Sequence, residues 1–142
     1  VMSILIREFC DLDYTSLMML SNDEWNIGIS SITASLKGKK NNVESCLVAE
    51  DDKQIIGFIY GFILPNKTLI PEFIYVIPNY RNKGVGRMLL EELEKRSACT
   101  VSMIFYNKTL REHYAKQGYV VGDSLETAIK RLVDKEETNG EI

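Results

Sequence analysis

The chain has 142 residues, 45% of them apolar, and a formal net charge of −3. That length suits one domain and that apolar content suits a real core. The negative balance argues against a nucleic-acid binder, whose surface is basic.

Taken in order, Ile4 to Phe9 is predicted as a first strand, with no charged-then-apolar leader and no long apolar span that would cross a membrane. Asp11 is placed to cap a helix from about Leu12 to Leu20, with Leu12, Leu17 and Leu20 among its apolar positions. Ser21 to Glu24 break it, and Trp25 to Leu36 reads as a second helix before a polar, basic loop over Lys37 to Asn42. Cys46 to Glu50 and Gln54 to Leu64 are strands joined at the turn Asp51-Asp52-Lys53, a hairpin. Pro65-Asn66-Lys67 turns the chain into a third antiparallel strand, Thr68 to Ile77. Gly57 and Gly61 lie four apart inside a strand, which marks a bulge, a close approach of backbone or ligand, or simple packing. Cys10, Cys46 and Cys99 have no metal spacing and no C-x-x-C pair, so they read as reduced thiols filling space in a cytoplasmic setting.

Pro78 and Asn79 stop the third strand, because proline cannot donate to a ladder. From Val85 the apolar residues recur at Val85, Met88, Leu89 and Leu93, a helical stripe, with Glu91–Lys95 and Glu92–Arg96 as i,i+4 pairs. Thr100 to Tyr106 reads as a strand that returns parallel to Thr68–Ile77 by a right-handed crossover. Asn107 is an N-cap for a short helix over Lys108 to Lys116, and Gly118 its stop. Tyr119 to Val121 reads as a short strand. Leu125 to Val133 has the composition of a helix and the alternation of a strand, and Asp134 to Ile142 is a polar tail. The sum is an α+β domain whose mixed sheet is mostly antiparallel, with one parallel pair.

The start of the Val85 helix has unusual chemistry. A helix N-terminus carries orphan N–H groups and partial positive charge, and normally attracts Asp or Glu. Here it has Arg81, Lys83 and Arg87, and Gly84 and Gly86 leave the backbone bare. Bare N–H groups flanked by cations suit an anion, and a pyrophosphate has the right size. The P-loop pattern is absent, and Gly84-x-Gly86 is followed by Leu89 rather than the third glycine of the dinucleotide pattern.

Arg81-Asn82-Lys83-Gly84-Val85-Gly86 resembles the R/Q-x-x-G-x-G/A signature of the GNAT acyltransferase superfamily. Asn107-x-x-Leu110-x-x-His113-Tyr114-x-x-x-Gly118-Tyr119 resembles its second signature, N-x-x-A-x-x-F-Y-x-x-x-G-F, departing at Leu110 and His113. With the preceding strand the two span Glu72 to Tyr119, about a third of the chain. The resemblance implies a single GNAT-like domain over 1–142, ending in a strand over 125–133 and a tail from about 134. It implies acetyl-CoA as co-substrate and no metal. The pyrophosphate would be held by Arg81, Asn82, Lys83, Gly84, Val85, Gly86 and Arg87. The pantetheine arm would lie between splayed strands, against main-chain groups of Ile74, Tyr75 and Val76, with Asn107 also hydrogen-bonding it.

Tyr114 matches the residue that protonates the leaving thiolate. The reaction needs a neutral acceptor amine, and a lysine-like amine has a pKa of roughly 10.4, so a general base helps. Glu72 is the candidate base, or else an exposed strand-end carboxylate. His113, one step round the helix from Tyr114, is expected to point elsewhere. Asp23, Glu24 and Trp25, in the loop that forms the family's acceptor pocket, would suit a cationic amine and equally a solvated helix junction. The activity implied is direct transfer of acetyl to a primary amine of a small molecule or peptide, in the cytoplasm, by a protein of a family in which homodimers are common. An acyl-CoA-binding sensor on the same fold is the alternative, since fold does not fix function. A nucleotide-binding domain using the same loop is a third.

Overall fold

The computed structural model describes residues 2–20 and 45–123, and the single positions 126, 128, 130 and 132. Contacts divide the chain into two units, Val1–Phe105 and Tyr106–Ile142. The first unit contains β1 (Ile4–Glu8), a 3-10 turn (Asp11–Asp13), α1 (Tyr14–Leu20), β2 (Ser45–Asp51), β3 (Gln54–Ile63) and β4 (Thr68–Val76). A second 3-10 turn (Pro78–Tyr80) leads to α2 (Val85–Ser97) and β5 (Val101–Ser102). The second unit holds a 3-10 turn (Lys108–Leu110) and α3 (Arg111–Lys116). The expected second helix over Trp25 to Leu36 lies outside the described residues, as does the expected final strand over 125–133 apart from its single described positions.

The sheet has the order β1-β2-β3-β4-β5. Its first three pairings are antiparallel and β4–β5 is parallel, the mixed sheet expected from the sequence. Side chains alternate across it. Val48, Phe58 and Tyr75 form one cross-strand row; Leu47, Ile59 and Ile74 form the next. The first row joins Leu17 of α1, Ile55 and Tyr60 in one buried cluster. The second lies on the face that α2 covers with Val85, Leu89, Leu90 and Leu93, each no more than 2% exposed. Each such leucine is worth about 1.5–3 kcal/mol of burial.

Four details differ from the sequence expectation. Leu90, rather than Met88, completes the buried face of α2, and Met88 is 39% exposed. At about 100° per residue, Leu90 falls on the same side of Val85 as Leu89 and Leu93, and Met88 on the other. Glu91 pairs with Arg87 at 2.7 Å rather than with Lys95, while Glu92–Arg96 forms as expected at 2.8 Å. The strand expected over Thr100 to Tyr106 shrinks to Val101–Ser102. Met103 N–H still reaches the Leu69 carbonyl at 2.9 Å, but the ladder then meets Pro71, which has no N–H to offer. Tyr119 to Val121 is not a strand either. Val120 is wholly exposed, and among the described residues no strand of the sheet pairs with this segment.

A buried carboxylate fixes the entry to α1. Asp13 is 6% exposed and takes a two-pronged pair from Arg7 at 2.8 Å on each oxygen, plus the Cys10 N–H at 2.9 Å. Burial pushes the Asp13 carboxyl up, but the Arg7 guanidinium and the Cys10 amide outweigh it and hold it below the ordinary value. Burial, reinforced by the charge of Asp13, pushes the neighbouring Cys46 thiol up to about 12, so this cysteine packs rather than reacts.

Gly57 and Gly61 are explained by β4. A Cβ on Gly57 would stand 2.7 Å from the Tyr75 carbonyl oxygen, and one on Gly61 2.7 Å from that of Ile70. Both obstacles are backbone, which cannot swing aside. Gly57→Ala is therefore expected to lower stability by about 1–3 kcal/mol, the usual cost of overpacking. Urea denaturation followed by circular dichroism checks this, and an unchanged midpoint would contradict it.

Candidate functional site

The upstream wall of the site is the edge of β4. Tyr60 and Gly61 of β3 are adjacent in sequence, yet they pair with Phe73 and Pro71. Glu72 is thus the extra residue of a β-bulge, a device that re-aims a strand. The bulge also changes which backbone groups face outward. Before it, the Leu69 carbonyl points to β5, where it accepts from Met103. After it, Ile77 N–H points to the Ile56 carbonyl of β3, so the groups of Tyr75 face β3 and those of Ile74 and Val76 face the other way. Glu72 itself is exposed, and its charge helps burial raise the pKa of the Tyr60 hydroxyl.

At the end of β4 the chain enters the glycine turn. Arg81 Nε donates to the Val76 carbonyl at 2.6 Å, and its guanidinium lies 5.3 Å from the centre of the Tyr75 ring. Tyr80 donates its hydroxyl to Asp51 at 2.7 Å, tying the turn to the β2–β3 hairpin. That bond lowers the Asp51 pKa and raises the Tyr80 one. Asn82 and Gly84 both take left-handed backbone, with φ of 60° and 85°. Gly84 is the N-cap of α2 and has no side chain with which to cap it, and no acidic residue sits in the first turn. The first helical bond is from Met88 N–H to the Gly84 carbonyl at 3.0 Å. The amides of Val85, Gly86 and Arg87 therefore open the helix with no side-chain cap, in the geometry that receives anions.

Each of the three basic residues around the turn has a partner within the chain. Arg81 serves the end of β4. Lys83 donates to the Asn79 carbonyl at 2.9 Å and lies 5.7 Å from the Tyr80 ring centre. Arg87 bonds exposed Glu91, a pair worth little in water. The sequence could not show these partners, because they depend on where the turn places its carbonyls. A polar hollow beside the turn, lined by Ser3, Asp51, Asp52, Gln54 and Tyr80, has the wrong sign for a phosphate.

The second unit explains its own signature. Asn107 caps the Lys108–Leu110 turn, its Oδ1 accepting from Thr109 N–H and Oγ1 at 3.0 Å each. This leaves the amide nitrogen as the Asn107 group suited to a ligand carbonyl. After α3, Gly118 takes φ of 92°. Its N–H reaches the Ala115 carbonyl at 3.1 Å, and Tyr119 N–H reaches that of Tyr114 at 3.2 Å. This is a Schellman cap, and the Tyr114–Tyr119 ring contact at 5.9 Å is its hydrophobic clasp. The Tyr-x-x-x-Gly-aromatic spacing is thus a helix stop that fixes the tyrosine. Tyr114 is 7% exposed and also touches Tyr106 at 5.2 Å and His113 at 4.9 Å. His113, expected to point away, lies edge-on to this ring and reaches Gln117 at 2.9 Å. Burial raises the pKa of the Tyr114 hydroxyl, which keeps it a proton donor. Asp23, Glu24 and Trp25 lie outside the described residues. Among those described, no three His, Cys, Asp or Glu side chains are grouped as a metal site requires, and no helix is long and apolar enough to cross a membrane.

Comparison with known proteins gives this geometry its family. The Acetyltransferase (GNAT) domain matches residues 42–121, and the chain belongs to that family. Two L-2,4-diaminobutyric acid acetyltransferases are similar in sequence. The one from Shouchella clausii is 38% identical over 58 residues, 39% of this chain and 33% of the relative. That from Marinococcus halophilus is 27% identical over 97 residues, 67% of this chain and 51% of the relative. The matches thus span about half or less of these relatives' length. In fold, the chain is similar to an aminoglycoside N-acetyltransferase solved with CoA, with a TM-score of 0.73 and 15% identity, over 92% of this chain and 97% of that one. It is also similar to a ribosomal-protein-alanine N-acetyltransferase from Brucella melitensis biovar Abortus 2308, with a TM-score of 0.70 and 17% identity, over 91% and 100%.

Replacing Gly118 with alanine should cost about 1–2 kcal/mol, the penalty of left-handed backbone for an L side chain. Thermal unfolding reads the loss, and Gly118→Asn, which tolerates that backbone better, should recover part of it. Equal stability of the parent and Gly118→Ala would contradict the Schellman assignment.

Proposed function

We propose that this chain is an acetyl-CoA-dependent N-acetyltransferase that acetylates a primary amine of a small molecule or peptide. The observation that carries the reading is the glycine turn. It presents the Val85, Gly86 and Arg87 amides at the N-terminus of α2 with no side-chain cap, next to a β4 edge whose Ile74 and Val76 groups face outward. The residues present fit a CoA diphosphate, because the helix start lacks both an acidic residue and a capping side chain.

Acetyl-CoA, when bound, supplies an activated acetyl thioester. The chain's own part is to bind, orient and move protons. The turn amides and Lys83 hold the diphosphate, while Arg81 shapes the turn by fixing the Val76 carbonyl. The outward amides of Ile74 and Val76 bind the arm, and the Val76 N–H serves the developing oxyanion. Asn107 binds the arm through its amide nitrogen. Glu72, raised on the bulge, takes the proton of the acceptor amine. Tyr114 gives its hydroxyl proton to the leaving thiolate, a role supported by its place in the second signature and by the burial that keeps it protonated. Transfer is direct and uses no metal. The acceptor class is supported by the relatives named for L-2,4-diaminobutyric acid, so a diamino acid heads the panel to be tested with acetyl-CoA by release of free thiol. A reducing, cytoplasmic compartment suits the three free cysteines.

Two measurements test this reading. A Cβ at Gly86 would meet only Ile74 Cδ1 at 3.6 Å and Val76 Cγ2 at 4.0 Å, ordinary contacts. Gly86→Asp should therefore raise the stability of the free protein by about 0.5–1 kcal/mol, from a better helix former and an acid at the dipole's positive end. The same change should weaken CoA binding at least about tenfold by calorimetry, since it sets a carboxylate against the phosphates. A variant that binds CoA like the parent would sink the assignment. The second measurement is the pH profile of kcat. The folded Tyr114 value lies above the ordinary tyrosine value of about 10, so the acid form persists through the neutral range and is lost only above that value. Activity should show no alkaline fall below about pH 10, and Tyr114→Phe should cost about 10²-fold in kcat. Glu72→Gln should lower kcat by about 10²-fold. Unchanged kcat in both variants would remove these two residues from the mechanism.

A further inference from the structure

We propose that Pro71 is a positioning residue for the acyl carrier, a role that rests on the acetyl-CoA reading above. In a parallel ladder, one residue donates its N–H to one neighbour and takes an N–H two residues further along the same strand. Thr68 and Leu69 of β4 stand opposite Val101 and Ser102 of β5, which makes Met103 the next residue in register, opposite Ile70. Met103 keeps the first half of that pairing, donating to the Leu69 carbonyl at 2.9 Å. The second half requires the Met103 carbonyl to accept the N–H of residue 71, and proline has none. β5 ends at Ser102 for this reason.

The same face of β4 carries the proline where a missing donor leaves no bond unmade elsewhere. Leu69 and Pro71 are two apart, and the Leu69 carbonyl points to β5, so the nitrogen of Pro71 is on the β5 side as well. Its β3 neighbour is Gly61, whose own Cβ would stand 3.2 Å from the Pro71 Cα. The bulge at Glu72 follows at once and brings Ile74 and Val76 outward. Proline and bulge therefore divide the labour. The proline ends pairing with β5, and the bulge then presents fresh main-chain groups to the space that opens. Without the proline, the first rung of an extended ladder would draw Met103 to Phe105 toward those groups and compete with a bound pantetheine for the β4 edge.

The test separates the missing N–H from the ring. Pro71→Ala restores the donor; replacing the same residue by lactic acid, an ester, keeps the alanine-sized side chain and removes the donor again. Pro71→Ala is expected to give a slowly exchanging amide at position 71, with a hydrogen-bond scalar coupling to the Met103 carbonyl, in the ligand-free protein. The KM for acetyl-CoA and the Kd for CoA should rise about fivefold, the worth of roughly one hydrogen bond, with kcat kept and the unfolding midpoint not lowered. The ester variant should return KM and Kd to the parent values. Fast exchange at position 71 overturns the ladder argument, and a protected amide with unchanged Kd overturns the positioning role. A Kd raised equally in the ester variant assigns the effect to the ring and also overturns the proposal. Failure of the parent to bind CoA would refute the acetyl-CoA reading and the carrier role together, while the amide at 71 would still report whether proline ends the ladder.

Discussion

The hydrogen-bonding capacity of β4 is divided unequally between its two edges. Toward β3 the strand is paired from Leu69 to Val76, with one residue bulged out; toward β5 it pairs at Thr68 and Leu69. Main-chain groups do not stay unpaired when shielded from water, so a strand left open along most of one edge invites a ligand to complete it. The rest of the first unit serves that arrangement. Rows of apolar side chains on both faces hold the sheet, glycines at 57 and 61 let β3 approach closely, and α2 rises from the end of β4 with its N-terminus uncapped.

Several features are stabilised in ways that look local but serve the turn. The Tyr80–Asp51 bond ties the turn to a distant hairpin, and Arg81 clamps the Val76 carbonyl from within. These contacts hold Asn82 and Gly84 in left-handed backbone, a conformation that costs an asparagine little and a glycine nothing. For the proposed diphosphate site a rigid turn matters, because an anion site built of amides works by prior orientation. In the second unit a Schellman cap plays the corresponding role, locking Tyr114 by a helix stop and three aromatic neighbours.

Much of this was legible in the residues. Turn chemistry at Asp51-Asp52-Lys53 and Pro65-Asn66-Lys67 dictates antiparallel neighbours, and strand–helix–strand dictates the parallel one. The two signatures located the turn, the Asn107 cap and the Gly118 stop. What was not legible depends on a second strand or on the path of a loop. The length of β5 is decided by a proline on β4. The partners of Arg81 and Lys83 are carbonyls whose positions follow from the fold of the turn. Met88 and Leu90 differ by a rotation about the helix that a list of apolar positions does not resolve. Glu72 was visible as a carboxylate four residues before Val76, but its place on a bulge required the register of β3 against β4.

The central claim is that the amides at the start of α2 and on the outward edge of β4 form one binding surface for CoA. Titration of the isotopically labelled protein with CoA, followed by amide chemical shifts, tests it directly. The account predicts that the amides of Val85, Gly86 and Arg87 move with the diphosphate. Those of Ile74 and Val76 should move with the pantetheine arm and stay still when adenosine diphosphate is used instead. Shifts confined to other segments, or none at saturating CoA, would contradict it.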